Sequence, residues 1–218
     1  INKEYIEIQK YAFRKYKIKT VENKHTHLVP EELEQLERLS LTDKHMKLQK
    51  SLDAFLFCCY AGMRYSDFTN LSKKNIVDIN QETWLIYKSV KTGTEVRLPL
   101  YLLFAGKGIV ILNKYRNNLE DFFRLRDNSN INKDLIIIAK LAGLSKKISF
   151  HTARHTNATL LIYNGVNITT VQKLLGHKSV KTTQVYTNIM DMTIVHDLEK
   201  IKQAALGIKK KTDNSFNK

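Results

Sequence analysis

Over residues 150–186 the chain reads FHTARHTNATLLIYNGVNITTVQKLLGHKSVKTTQVY. Four side chains in this stretch could do chemistry together: His151, Arg154, His177 and Tyr186. A phenol can be made a nucleophile, a guanidinium holds phosphate oxygens through its planar fork, and an imidazole moves protons near neutral pH. The set points to phosphate chemistry carried by a tyrosine hydroxyl.

Breaking a DNA phosphodiester with a protein hydroxyl makes four demands. The tyrosine attacks in line, the charge gathering on phosphorus is neutralised, a base takes the phenolic proton, and an acid protonates the departing 5′ oxygen. Arg64 and Arg154 can clamp the phosphate from two sides, since arginine donates paired hydrogen bonds and keeps its charge. His151 and Arg154 stand at i and i+3, on one helix face, so an imidazole lies beside the group that the arginine holds. His177 follows Gly176 at a helix end, placed to donate to a phosphate oxygen. Lys91 adjoins a Lys91-Thr92-Gly93-Thr94 turn and can reach the leaving oxygen; in a hairpin of shifted register Lys88 would take that place.

Several elements must position these groups. Pro30, Glu31 and Glu32 open a helix over PEELEQLERL. Residues 43–61 recur at helical spacing and stop at Gly62, delivering Arg64, with Ser66 and Asp67 as the expected N-cap of the next helix. Residues 76–100 carry three β-rich runs, IVDI, TWLIYKSV and EVRLPL, which predict a small antiparallel sheet with Lys91 at the tip of its second turn. Gly106 and Gly108 mark a break before a helix over 109–115, and 117–130 has no clear period. Helices follow over 132–142, 151–163 and 169–175, each closed by glycine, and a further one from Ser179 is expected to carry Tyr186.

Composition agrees with an anionic partner. Lys and Arg total 36 against 21 Asp and Glu, a formal charge of +15, although many of these lysines will be solvated helix faces. The two cysteines, Cys58 and Cys59, are adjacent within an apolar run, which excludes a disulfide framework and fits a reducing compartment. No apolar run approaches the ~18 residues of a membrane span, and no signal peptide opens the chain. Residues 1–27 read as a helix end and charged connector arriving from a preceding domain. The segment 192–206 is amphipathic, and KKKTDNSFNK after it is a polar tail expected to be disordered.

Taken singly, an HxxR, an LGH or a tyrosine carries little. In order, AGMRYSD at 61–67, KTG at 91–93, HTARHT at 151–156, LLGH at 174–177 and then Tyr186 resemble the catalytic domain of the tyrosine recombinase (phage integrase) family. The resemblance is strongest to integrases of bacterial conjugative and mobilisable elements and covers residues 28–191.

It implies a mainly α-helical fold with a three-stranded antiparallel sheet. The implied organisation is the end of an N-terminal core-binding domain and linker over 1–27, a catalytic domain over 28–190, and a C-terminal helix and basic tail over 191–218 exchanged between protomers. Arg64, Lys91, His151, Arg154, His177 and Tyr186 match the catalytic positions, with Asp67 and His155 in support. The implied activity is site-specific cutting and rejoining of DNA through a 3′-phosphotyrosine, without cofactor, metal or ATP, for integration or excision of a mobile element. The implied partners are double-stranded DNA, three further copies on two duplexes, and accessory DNA-bending or excision proteins, in the bacterial cytoplasm at the nucleoid. The fragment alone could be monomeric. Two other readings share the observations: a type IB topoisomerase-like enzyme that rejoins the same strand, and a DNA-binding module without catalysis.

Overall fold

A computed structural model describes residues 26–186 and residue 202. Residues 1–25 of the connector and the amphipathic segment 192–206, apart from residue 202, lie outside the described residues, as does the polar tail.

Helix α1 (Pro30–Glu37) starts where Pro30 needs no amide partner and Glu32 accepts from the Val29 amide at 2.9 Å. A 3-10 turn (Asp43–Leu48) leads into α2 (Gln49–Ala61), in which every residue from Ser51 to Ala61 is buried. A helix buried on all sides is the centre of its domain. Helix α7 (Phe150–Tyr163) packs along it, with α4 (Lys107–Lys114) and α6 (Asn128–Leu141) also against it. Its two buried polar side chains are satisfied: Asp53 accepts from Lys114 Nζ at 3.0 Å and Tyr115 Oη at 2.9 Å, and Ser51 donates to Asp134 at 2.6 Å. Cys58 and Cys59 are free thiols in this core.

The sheet is antiparallel in the order β1 (Ile76–Ile79), β2 (Glu82–Lys88), β3 (Glu95–Pro99). Leu85 and Tyr87 on β2 alternate inward with Val96 and Leu98 on β3, against helix α8 (Ile168–Leu175). Register pairs Lys88 with Glu95 and so leaves Lys91 in the turn.

Three local expectations are corrected. Helix α3 (Tyr65–Thr69) is capped by Arg64, so Ser66 and Asp67 lie inside its first turn; Asp67 is turned inward to other partners instead of serving as cap. Residues 117–130, without period, contain α5 (Leu119–Phe123) and the start of α6. Five residues are too few to show a helical repeat. Helix α5 is held by Phe122 and Phe123, whose rings meet Phe68 edge-on at 5.3 and 5.4 Å, with Phe57 and Phe150 closing the cluster. Last, α9 (Lys181–Gln184) stops short of Tyr186, which sits in the turn after it. Among the described residues no helix is long and apolar enough to cross a membrane.

Candidate active site

Arg154 lies on α7 with only 1% of its surface exposed, yet no carboxylate among the described residues pairs with it directly. Its charge is met by two helix ends. Nη1 donates to the carbonyl of Gly62, the C-cap of α2, at 2.7 Å, and Nη2 to the carbonyl of Leu175, the last residue of α8, at 2.6 Å. Carbonyls at a helix C-terminus carry the negative end of the macrodipole, so two such ends can hold a buried cation. Compensation is incomplete: burial and then the Arg64 charge lower the Arg154 pKa to about 10.

The helix ends sit where they do because Gly62 and Gly176 take left-handed conformations, φ +67° and +63°. Neither could carry a side chain unless a neighbour moved. A Cβ on Gly62 would stand 2.6 Å from Asn157 Oδ1, and one on Gly176 2.6 Å from Val96 Cγ2. Asn157 itself, buried on α7, donates to the carbonyls of Cys59 and Tyr60 and so fastens the end of α2 to the helix that bears Arg154.

His177 lies directly against this arginine. Its Nε2 is 2.8 Å from Arg154 Nη2, and its Nδ1 is 2.9 Å from the buried hydroxyl of Thr183 on α9. Burial, then Arg154, Arg64, Lys91 and His151, lower its pKa to about 4, so the ring is neutral at physiological pH.

Arg64 enters from the other side. Asp67, 1% exposed, accepts from Arg64 Nη1 at 3.5 Å, from the Val90 amide at 2.8 Å and from Ser89 Oγ. One buried carboxylate thus ties the Arg64 loop to the start of the β2–β3 turn. Thr92 in that turn donates to the Gly176 carbonyl at 3.1 Å, so the tip bearing Lys91 is docked on the end of α8. With its oxygens engaged, Asp67 is a poor metal ligand, and no group of three His, Cys, Asp or Glu among the described residues is placed to hold a metal ion.

Tyr186 packs inward, 5% exposed. Its ring lies 5.4 Å from that of His155, which in turn stands edge-on to His151 at 4.4 Å. Burial raises the Tyr186 pKa, opposed by the charges of Arg154 and Arg64 and by a hydrogen bond with Arg154. A phenol of raised pKa is a proton donor at neutral pH and needs a base before it can attack.

The eight side chains expected from sequence therefore divide clearly. Arg64, Asp67, Arg154, His177 and Tyr186 are linked through bonds or charge; Lys91 and His151 are exposed and act on His177 through charge; the His155 ring lies tilted against Tyr186. Sequence reasoning missed Ser89, Thr92, Asn157 and Thr183, all short polar residues whose partners lie on other elements. Thr183 alone had a signal, standing between His177 and Tyr186. It missed Tyr87 as well, whose buried hydroxyl has no hydrogen-bond partner among the described residues and whose pKa burial, then Asp67, raises.

Comparison with known proteins places the chain in a family. The profile described as the phage integrase family matches residues 26–192. A tyrosine recombinase of Pseudothermotoga lettingae is 30% identical over 181 residues, covering 81% of this chain and 60% of that protein. Tyrosine recombinase XerD of Bifidobacterium longum is 50% identical over 171 residues, 71% of this chain and 54% of that one. The chain thus spans a little over half the length of these curated relatives. Among solved structures, XerA recombinase superposes with a TM-score of 0.64 at 25% identity, covering 82% of this chain and 66% of its own. XerH recombinase in a post-cleavage complex with its palindromic difH substrate gives 0.62 at 22%, covering 82% and 54%.

Proposed function

The chain belongs to the phage integrase family, and from that premise we propose that it is the catalytic part of a tyrosine site-specific recombinase that integrates or excises a mobile element. The observation that carries the reading is the 2.8 Å contact of Arg154 with His177, with Arg64 and the Tyr186 hydroxyl within electrostatic reach of that pair, groups drawn from four separate places along the chain. A cluster so rich in cations, with its one buried carboxylate occupied, is suited to a phosphate diester.

Tyr186 attacks phosphorus and gives its proton to His151. Arg64 and Arg154 hold the non-bridging oxygens, and His177 donates to one of them as negative charge builds. Lys91 gives a proton to the 5′ oxygen as the P–O bond breaks. The broken strand then has one end joined to the enzyme as a 3′-phosphotyrosine and the other end released as a free 5′-hydroxyl. Attack by the 5′-hydroxyl of a partner strand reverses these transfers and regenerates Tyr186. The ester keeps the bond energy, so the cycle needs neither ATP nor a metal. Asp67 keeps Arg64 in place, and His155 supports the Tyr186 ring.

Residues 28–190 form the catalytic domain in this reading, the segment before them links to a core-binding domain, and residues 191–218 dock on a neighbouring protomer. Double-stranded DNA is the substrate and a tetramer on two duplexes the working assembly; lambda integrase, a structural neighbour, is seen as a tetramer bound to a Holliday junction. The test is covalent capture on a pool of nicked duplexes of random sequence, in EDTA and without ATP. Wild type should form a protein–DNA adduct at Tyr186, and Tyr186→Phe none. An adduct that persists in Tyr186→Phe refutes the assignment.

A further inference from the structure

The hydrogen bonds of His177 fix its protonation on both nitrogens. Arginine can only donate, so Nε2, 2.8 Å from Arg154 Nη2, carries a lone pair. The ring proton is then on Nδ1, which donates to Thr183 Oγ1 at 2.9 Å. This is the wrong tautomer for the role given above, because a phosphate oxygen needs a donor and Nε2 is an acceptor here.

Two routes could supply an Nε2–H. Protonation would make an imidazolium beside three cations, Arg154 from α7, Arg64 ahead of α3 and Lys91 from the hairpin turn, with the titrating ring of His151 also on α7, and that crowding opposes it. The other route keeps the ring neutral and moves its proton. That route needs a partner at Nδ1 able both to accept and to donate, and among uncharged side chains of this size a hydroxyl does both. Thr183 supplies it, wholly buried and on the short helix that precedes Tyr186.

We propose that Thr183 is a positioning residue that sets the tautomer of His177, accepting from Nδ1–H in the arrangement described here and turning its hydroxyl to donate to Nδ1 when a phosphate diester lies against Nε2. Solvent delivers one proton to Nε2 and takes one from Nδ1, so net proton uptake is zero. The exchange has a second effect: Arg154 Nη2 loses its acceptor in His177 and its N–H is released toward the phosphate. Phosphate entry therefore frees one donor on the arginine and creates another on the histidine. The proposal rests on the recombinase reading, since it explains how His177 comes to face a phosphate.

The test uses the whole chain with 15N-labelled histidine, reading from two-bond proton–nitrogen correlations which ring nitrogen is protonated, with orthovanadate as the probe of the phosphate subsite. The His177 signals are assigned by their loss in His177→Gln. We expect Nδ1–H in the chain alone and neutral Nε2–H with saturating orthovanadate. Thr183→Val should fail to convert and lose at least about tenfold in adduct formation, while Thr183→Ser restores both. Should Thr183→Val not fold, Thr183→Ala against Thr183→Ser reads the same contrast. Nε2–H in the chain alone, an imidazolium in either condition, or conversion in the hydroxyl-free variant overturns the switch. If Tyr186 adducts form normally in that case, only the switch falls. If wild type forms no adduct, the recombinase reading falls and takes the switch with it.

Discussion

Replacing Gly62 with alanine tests how the end of α2 is coupled to Arg154. At φ +67° an alanine costs about 1–2 kcal/mol in backbone strain. Its Cβ would also stand 2.6 Å from Asn157 Oδ1 and 2.9 Å from Leu175 Cδ2, so one of these must move. If Asn157 yields, its bonds to the carbonyls of Cys59 and Tyr60 weaken, at about 1 kcal/mol each. The sum is about 2–4 kcal/mol, which for a chain of this size lowers Tm by about 5–15 °C. Because the Gly62 carbonyl is an anchor of Arg154, adduct formation should fall as well.

The decisive measurement is a double-mutant cycle in urea. Asn157→Ala alone leaves the two carbonyls without their donor and should cost about 2 kcal/mol. In that background the main obstacle to a Cβ at Gly62 is gone, and only strain and the Leu175 contact remain. Gly62→Ala should then cost about 1–2 kcal/mol less than it does in the wild type. Equal costs in the two backgrounds, within about 0.5 kcal/mol, would refute the coupling and show that backbone strain alone demands glycine.

Three further outcomes are expected. Lys91→Ala should lose adduct formation on ordinary DNA and regain it on a 5′-bridging phosphorothiolate, whose thiolate leaves without an acid; failure of the rescue removes Lys91 from that role. Lowering pH should destabilise the fold through His177: its folded pKa, about 4, lies below the ordinary 6.5, so its contribution is complete above 6.5 and lost as pH falls toward 4. Urea midpoints measured across that window should fall for wild type and flatten in His177→Gln. Finally, Asn80 and Gln81 both take left-handed φ, +52° and +67°, in the turn between β1 and β2. Turns of that hand favour glycine at the second position, so Gln81→Gly should stabilise by about 0.5–1 kcal/mol and raise the urea midpoint.

What could be read from sequence had short range or strong chemistry. Pro30 before a pair of glutamates, glycines after apolar runs, and three alternating segments around a KTG turn are local signals, and each produced its element where expected. Arg64, Lys91, His151, Arg154, His177 and Tyr186 were selected because phosphate chemistry at a tyrosine needs those functional groups, and their order along the chain matched a family pattern. Helix α5 was not legible, since five residues show no period and its two phenylalanines act only once Phe68 from α3 is beside them.

Only the tertiary structure decided how the site is held. The partners of Arg154 are backbone carbonyls, and no residue type encodes a carbonyl: every residue has one, and burial and helix ends select which two face the guanidinium. Asp67 reads in sequence as a helix cap and, by resemblance, as the support of Arg64; its tie to the hairpin appears only once Ser89 and Val90 arrive across the sheet. The sequence by itself determined which groups are present and in what order. Three-dimensional packing determined their protonation, since the state of His177 follows from an arginine 23 residues before it and a threonine six residues after it.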